Sequence, residues 1–186
     1  MQIKNTIDSY GIIAIIFHWV VAVAVIGMYL LGLWMDDLEY YDPWYTTAPH
    51  IHKSIGVIVI SLVVARLIWR WINPVPKSLR SHKKWEQVLA KLTHGMFYIL
   101  LISMFFSGYL ITTAEGKSLQ VFNWFGIPAM VTEIENLEDV AGEIHEVIAN
   151  TIILLATLHA LAAIKHQFFD KDGTLLRMFG KSQVKS

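Results

Sequence analysis

Histidines are the residues of this chain whose type and spacing indicate chemistry. Four of the eight lie in or beside long apolar stretches, at His18, His52, His145 and His159. An ionisable side chain costs free energy inside a bilayer, so a set of them in apolar segments indicates a functional site. The chain has no cysteine, so thiolates cannot serve as metal ligands. Opposed histidines therefore predict bis-histidine ligation of haem iron.

Composition places the chain in the membrane class. Hydrophobic residues make up 55% of the 186 residues and charged residues only 16%, which is too apolar for an ordinary soluble domain. The length allows one compact domain. The first apolar run is too long for the core of a cleavable signal peptide. No phosphate-binding glycine loop or nucleophile triad is found, and no nucleic-acid partner is expected.

Four apolar segments predict four transmembrane helices, at about residues 10–35, 52–72, 88–114 and 144–169. Each supplies roughly the 20 apolar residues that a bilayer core requires. The predicted fold class is therefore all-α, an integral membrane four-helix bundle formed by residues 1–186 as a single domain.

Loop charges predict how the helices are oriented. Eleven carboxylates lie in the loops after helices 1 and 3 and at the start of helix 4: Asp36, Asp37, Glu39, Asp42, Glu115, Glu133, Glu135, Glu138, Asp139, Glu143 and Glu146. The termini and the loop after helix 2 instead carry the cations Lys4, Lys77, Arg80, Lys83, Lys84, Lys91, Lys165, Lys171, Arg177, Lys181 and Lys185. Because cytoplasmic loops are enriched in Lys and Arg, both termini are expected in the cytoplasm.

This orientation sets the depth of each histidine. His18 follows the cytoplasmic start of helix 1, whereas His52 stands at the outer start of helix 2. His145 lies near the outer end of helix 4, and His159 lies about 21 Å farther along the same helix, at about 1.5 Å per residue. The depths predict two pairs, His52 with His145 at the outer level and His18 with His159 at the inner level.

Other interpretations remain open for these residues. A buried histidine is often only a hydrogen-bonded core residue, and a zinc or copper site would need three or four ligands at one level, where the outer pair has only His50 as a neighbour. His94 competes for the inner haem, or else contacts a propionate or forms part of a quinone site. Arg66, Arg70 and Lys53 either pair with haem propionates or extend to the membrane surface.

Several sequence strings carry a family resemblance. They are FHW at Phe17–Trp19, HKSIG at His52–Gly56, ARLIWR at Ala65–Arg70, THGMFYIL at Thr93–Leu100, GEIHE at Gly142–Glu146, LHALAAIKHQF at Leu158–Phe168 and KDGTLLRM at Lys171–Met178. In order and spacing the chain resembles the bacterial cytochrome b561 family over nearly its whole length. The resemblance implies an inner-membrane cytochrome with two haem b groups, whose ligands are carried over to His18, His52, His145 and His159.

The resemblance also implies electron exchange with ubiquinone or another quinone, which makes the chain a quinone-linked electron-transfer oxidoreductase. We expect the quinone near the inner haem, at His94, His166 and Trp85. Some family members are thought to oxidise superoxide, but acidic outer loops oppose an anion and favour a small cationic protein as periplasmic donor. Two alternatives stay open: a cytochrome b anchor subunit of a dehydrogenase or hydrogenase, and a histidine-lined metal transporter.

Overall fold

The computed structural model describes residues 2–79, 81–131 and 134–181. Arg80, Glu133 and Lys185, which were counted among the loop charges, lie outside the described residues. The elements are α1 (Ile12–Asp36), α2 (Thr47–Ile72), α3 (Lys84–Thr113), β1 (Leu119–Val121), β2 (Phe125–Ile127), α4 (Leu137–Phe168) and α5 (Thr174–Arg177). Helices α1 to α4 are each long and apolar enough to cross a membrane. The predicted class, a four-helix membrane bundle, is confirmed.

Helices α2, α3 and α4 begin at earlier residues than the apolar runs of the sequence predict. At the start of α3, the carboxylate of Glu86 accepts a hydrogen bond from the Lys83 backbone N–H at 2.8 Å, as in half of a capping box. The first turn of α2 contains Pro49, at a position where a missing N–H removes no helical bond. The first turn of α4 holds Glu138 and Asp139, which favour a helix N-terminus electrostatically. Polar turns therefore extend each helix beyond its apolar stretch.

Many apolar side chains of these helices point away from the protein interior. Val23 is 67% exposed, Ile99 66%, Val147 64% and Leu154 63%. Such exposure would be costly in water, but lipid tails are as apolar as these side chains. The pattern is that of helices whose outer surfaces contact lipid.

The chain divides into two compact units, and each long helix contributes to both. The first unit comprises Met1–Ala22, Leu62–Tyr98 and Leu154–Ser186, and the second comprises Val23–Ser61 and Ile99–Ile153.

In the first unit, the segment after α4 is fastened to the rest of the unit by hydrogen bonds. The indole N–H of Trp19 on α1 donates to the Met178 carbonyl at 2.8 Å. The guanidinium of Arg177 donates to the carbonyls of Asp8 and Lys77 at 3.0 and 3.1 Å. The short helix α5 is thereby held against the N-terminal segment and the α2–α3 loop.

In the second unit, a β-hairpin packs over a small core. Strands β1 and β2 pair antiparallel, and Leu119 and Val121 are buried with Tyr109 of α3. The turn places Phe122 and Asn123 at positive φ, 45° and 60°. This hairpin is not predicted from the sequence. It folds the loop between α3 and α4 back onto the helices of its own unit.

Candidate haem-binding histidines

Two pairs of histidines face each other, one in each unit. His18 on α1 and His159 on α4 have ring centroids 6.4 Å apart at an interplanar angle of 61°. His52 on α2 and His145 on α4 are also 6.4 Å apart, at 63°. The structure thus brings together the members of each pair expected from depth.

The spacing suits a metal ion held between two imidazoles. A histidine nitrogen binds a metal ion at about 2.0 Å, and the ring centre lies about 1.1 Å farther, so two imidazoles that held one ion between them would have centroids up to about 6.2 Å apart. Both observed separations are 6.4 Å. These residues therefore fit a bis-histidine haem in each unit.

Hydrogen bonding at His145 leaves one ring nitrogen free for a metal. Ser107 on α3 donates its hydroxyl proton to the Met104 carbonyl at 3.0 Å, so its oxygen is the acceptor for Nδ1 of His145, also at 3.0 Å. The proton assigned to Nδ1 by this network leaves Nε2 bare, the form in which histidine binds metals. Ser107 therefore orients His145 for ligation.

Glycine lets this histidine lie close to α3. A Cβ atom at Gly108 would stand 3.1 Å from Cε1 and 3.4 Å from Nδ1 of His145. On the partner side, Nδ1 of His52 is buried and has no hydrogen-bond partner among the described residues. An orphaned buried nitrogen fits a site that a bound group completes. The other nearby histidine, His50, contacts Phe122 instead, with ring centroids 6.5 Å apart.

A half-buried cation lies beside the other pair. The guanidinium of Arg66 on α2 donates to Nδ1 of His18 at 3.1 Å and lies over the ring of Tyr98 at 6.0 Å from the centroid. This arrangement puts the His18 proton on Nε2, so ligation through Nε2 requires Arg66 to turn away from the ring. An anionic propionate would draw it away, because a half-buried guanidinium needs a counter-charge. The inward direction of Arg66 argues against extension to the membrane surface.

The remaining site candidates have different surroundings. His94 lies against His159, with centroids 5.4 Å apart, which is closer than opposed ligands of one iron would stand. His166 contacts His82 at 4.4 Å, while Trp85 is 60% exposed. Within the described residues, Trp85 makes no hydrogen bond or ring contact with His94 or His166.

Two further cations complete the candidate set. Arg70 and Lys53 are half-buried, and in the described part of the chain neither makes an ion pair.

Gly56, which the sequence places one turn after His52, lies against Met28, whose Cε would be 3.8 Å from an added Cβ. Ser107 and Gly108 are not predicted from the sequence, although a serine–glycine step inside an apolar helix is a signal that could have identified them.

Comparison with known proteins agrees with the geometry. The family model described as prokaryotic cytochrome b561 matches residues 9–181. The chain is 44% identical over 182 residues to "Cytochrome b561 homolog 2" of Escherichia coli, covering 98% of this chain and 97% of the relative. It is 29% identical over 183 residues to "Probable superoxide oxidase CybB" of Yersinia pestis, covering 94% and 98%. The chain therefore belongs to the prokaryotic cytochrome b561 family, and it is a multi-pass inner-membrane electron-transfer cytochrome with b-type haem.

Proposed function

We propose that this protein carries electrons between a periplasmic donor and the membrane quinone pool by means of two haems per chain. The observation that carries the proposal is the presence of one histidine pair in each unit at the same separation, 6.4 Å. Haem bound at each pair would supply a reversible one-electron couple. Two imidazoles would hold each iron, so the chemistry supplied there would be electron transfer without direct binding of a substrate to the metal.

Haem stoichiometry tests this assignment. Because the chain has no cysteine to attach haem covalently, pyridine haemochrome analysis should extract about two haems per chain from the wild-type protein. His52→Ala and His145→Ala should each remove the haem of the second unit, and His18→Ala and His159→Ala that of the first. His50→Ala is the matched control for His52→Ala and should retain both. One haem per wild-type chain would contradict the proposal.

The role of His94 is tested in the same series. Its ring is 5.4 Å from that of His159, so it lies beside the proposed ligand pair without matching the ligand spacing. We expect His94→Ala to retain both haems and to slow electron exchange with a quinone analogue. Loss of a haem in His94→Ala, together with retention in His18→Ala, would make His94 the ligand.

Charged groups near the pairs support propionate binding. Arg66 contacts His18 directly, and Arg70 lies one turn farther along α2, on the same face. Lys53 follows His52 in the chain and is half-buried. These three cations are the proposed partners of the propionates. Lysines and arginines at the helix ends and in the loops are expected to contact lipid headgroups instead.

Quinone is proposed to react in the first unit, near His94, His166 and Trp85. His94 supplies a ring nitrogen next to the His18–His159 pair, and the exposed indole of Trp85 suits the membrane interface, where aromatic rings are common. The basic termini and the α2–α3 loop support placing this unit at the cytoplasmic side. A photoreactive ubiquinone analogue should label this unit in the wild type and label His94→Ala less.

The donor is proposed to be a small cationic protein, with superoxide as a second candidate. Superoxide is favoured by the name of one relative, "Probable superoxide oxidase CybB". The local charges oppose it, because Lys117, one of only two cations near the outer carboxylates, is paired with Glu115 at 2.5 Å. Glu115 accordingly raises the pKa of Lys117, but the pair presents no net charge to an approaching anion.

The two other functions have weaker support. A metal transporter would need a set of three or more ligands along its path, and the only such groups among the described residues lie at His82, Glu86, His166, Asp170 and Asp172. An anchor subunit should co-purify in mild detergent with a stoichiometric dehydrogenase or hydrogenase. Purification as a haem-loaded cytochrome without such a partner would support the free-standing electron carrier.

A further inference from the structure

A cluster of ionisable side chains in the first unit lies apart from the two proposed ligand pairs. His82 precedes α3, His166 is in the last turn of α4, and Asp172 precedes α5. Nε2 of His82 is 3.0 Å from Oδ2 of Asp172, and Nδ1 of His166 is 3.3 Å from the same oxygen. The side chains are mostly buried, with 16%, 14% and 4% of their surfaces exposed.

The two oxygens of Asp172 have separate partners. Oδ1 accepts hydrogen bonds from the backbone N–H and the hydroxyl of Thr174, at 2.9 and 2.7 Å. Oδ2 is therefore left for the two imidazoles. Burial alone would raise the pKa of Asp172, but the Thr174 hydrogen bonds and His82 outweigh it and hold that pKa below its usual range. The carboxylate is thus ionised and directed at two histidines.

The inner nitrogen of His166 is buried but lacks a hydrogen bond. Nδ1 lies 2.7 Å from Oδ2 of Asp170 and 3.3 Å from Oδ2 of Asp172, yet it has no partner with hydrogen-bond geometry in the described part of the chain. Both contacts are misaligned, and a misaligned contact contributes little as a hydrogen bond. A buried imidazole nitrogen that faces carboxylate oxygens without an aligned hydrogen bond is a suitable metal ligand once it is deprotonated.

From this geometry we propose that Nε2 of His82, Nδ1 of His166 and Oδ2 of Asp172 form a binding site for Zn²⁺. The three atoms lie within 4.8 Å of one another. Tetrahedral zinc holds nitrogen and oxygen ligands at about 2.0–2.2 Å, which puts neighbouring ligand atoms about 3.4 Å apart. Binding would require Nε2 of His82 to give up the proton that it now donates to Oδ2 of Asp172, with Nδ1 of the same ring or solvent taking a proton in exchange. Small side-chain rotations would then close the set, and a water molecule would complete the fourth position. Two imidazoles and one carboxylate form a ligand set that zinc commonly takes.

A neighbouring group of ligands is less suitable. Glu86, His166 and Asp170 also bring three ligand atoms within 4.8 Å. The ammonium of Lys165, however, already pairs with Asp170 at 2.6 Å and with Glu86 at 3.4 Å. Zinc would have to displace that cation, whereas no lysine pairs with Asp172 in the described residues. The site is therefore assigned to His82, His166 and Asp172.

Direct binding tests the site on the haem-loaded protein in detergent. Titration of ZnCl₂ against a competing chromophoric chelator should give one tight site per wild-type chain. Loss of a residue that merely supports a metal ligand costs about 10–100-fold in metal affinity. His82→Gln and Asp172→Asn, which remove ligands, should therefore weaken binding at least tenfold, while Glu86→Gln, which alters only the neighbouring group, should bind as the wild type does.

The haem absorption spectrum reports folding in every variant, since it does not depend on the proposed zinc ligands. Wild-type binding no tighter than that of the double variant His82→Gln/Asp172→Asn would overturn the zinc site. Equal weakening in Glu86→Gln would overturn the choice of ligands.

A consequence for electron transfer rests on the proposed function. His166 is also a candidate quinone residue, so zinc should slow reoxidation of the reduced cytochrome by a quinone analogue in the wild type and not in His82→Gln. Reduction of the cytochrome by dithionite should stay unchanged. Zinc binding without slower reoxidation would keep the zinc site and remove His166 from the quinone site.

Discussion

Ser107 determines which nitrogen of His145 is available to a metal, because its hydroxyl proton is already donated to the Met104 carbonyl. Ser107→Ala removes the acceptor for Nδ1–H without touching the ligand itself. We expect the affinity for haem at this pair to fall about 10–100-fold, the usual effect of losing a supporting hydrogen bond. Competition with an excess of a haem-accepting apoprotein measures the change.

The matched control for this substitution is Ser61→Ala. The hydroxyl of Ser61 donates to the Val57 carbonyl within α2 at 2.8 Å and is exposed, so its loss should leave both haems in place. Equal haem retention in Ser107→Ala and Ser61→Ala would show that Ser107 does not support the ligand.

Gly108 gives a steric test of the same pair. A methyl group there would stand 3.1 Å from Cε1 of His145, whereas one at Gly95, on the same helix, meets nothing within 4 Å. Gly108→Ala should lower the haem content of the second unit because the ring must shift. Gly95→Ala should leave haem content unchanged and raise helix stability by up to about 1 kcal/mol. Haem content near two per chain in Gly108→Ala, by pyridine haemochrome, would argue against a tight fit.

The sequence predicts the histidine pairs but not the residues that contact them. Loop charges and the rise of about 1.5 Å per helical residue gave the depth of each histidine, and depth was enough to pair His18 with His159 and His52 with His145. The same reasoning could not identify Ser107 or Gly108, because their contacts depend on the rotation of α3 and on one side-chain rotamer. The direction of Arg66, toward His18 and not toward the surface, likewise depends on tertiary packing.

At the level of elements, the β-hairpin depends on a contact that is distant in sequence. Ser54 of α2 is fully buried; its hydroxyl donates to the His50 carbonyl at 2.8 Å and accepts from the Phe122 N–H at 2.9 Å. Ser54→Ala leaves that partly buried N–H without an acceptor, which costs about 1 kcal/mol. We expect a lower melting temperature and faster hydrogen exchange in the hairpin, with haem content unchanged. Exchange equal to that of wild type would show that Ser54 does not anchor it.

This dependence explains why the hairpin was not predicted. Phe122 takes a φ of 45°, a backbone conformation that aromatic residues rarely adopt, and the strands of the hairpin are only three residues long.

The predicted helix ends differ from the observed ones for another reason. The apolar pattern reports the part of a helix in the hydrocarbon, while caps such as Glu86 extend the helix into polar surroundings.

For the whole molecule, net charge hides a strong separation. The formal net charge is zero, but the carboxylates and the cations fall in different loops. Glu115, Glu138 and Asp139 line one surface cleft of the second unit, at the end of α3 and the start of α4. A negative surface raises the local concentration of a cationic partner and lowers that of an anion. The sequence was sufficient to predict this charge separation, because the prediction requires only knowing which loop each charged residue belongs to.

Salt dependence of the reduction rate follows from this charge. Reduction by a small cationic donor should be fastest at low ionic strength and slow as salt rises, since the Debye length shrinks to about 8 Å at 0.15 M. Glu138→Gln/Asp139→Asn should flatten that dependence, while Asp8→Asn, which changes an exposed residue of the first unit, should not. Superoxide should show the opposite trend, with salt relieving its repulsion. Stopped-flow reduction across a salt series distinguishes the donors, and fast superoxide oxidation that slows with added salt would overturn the preference for a cationic donor.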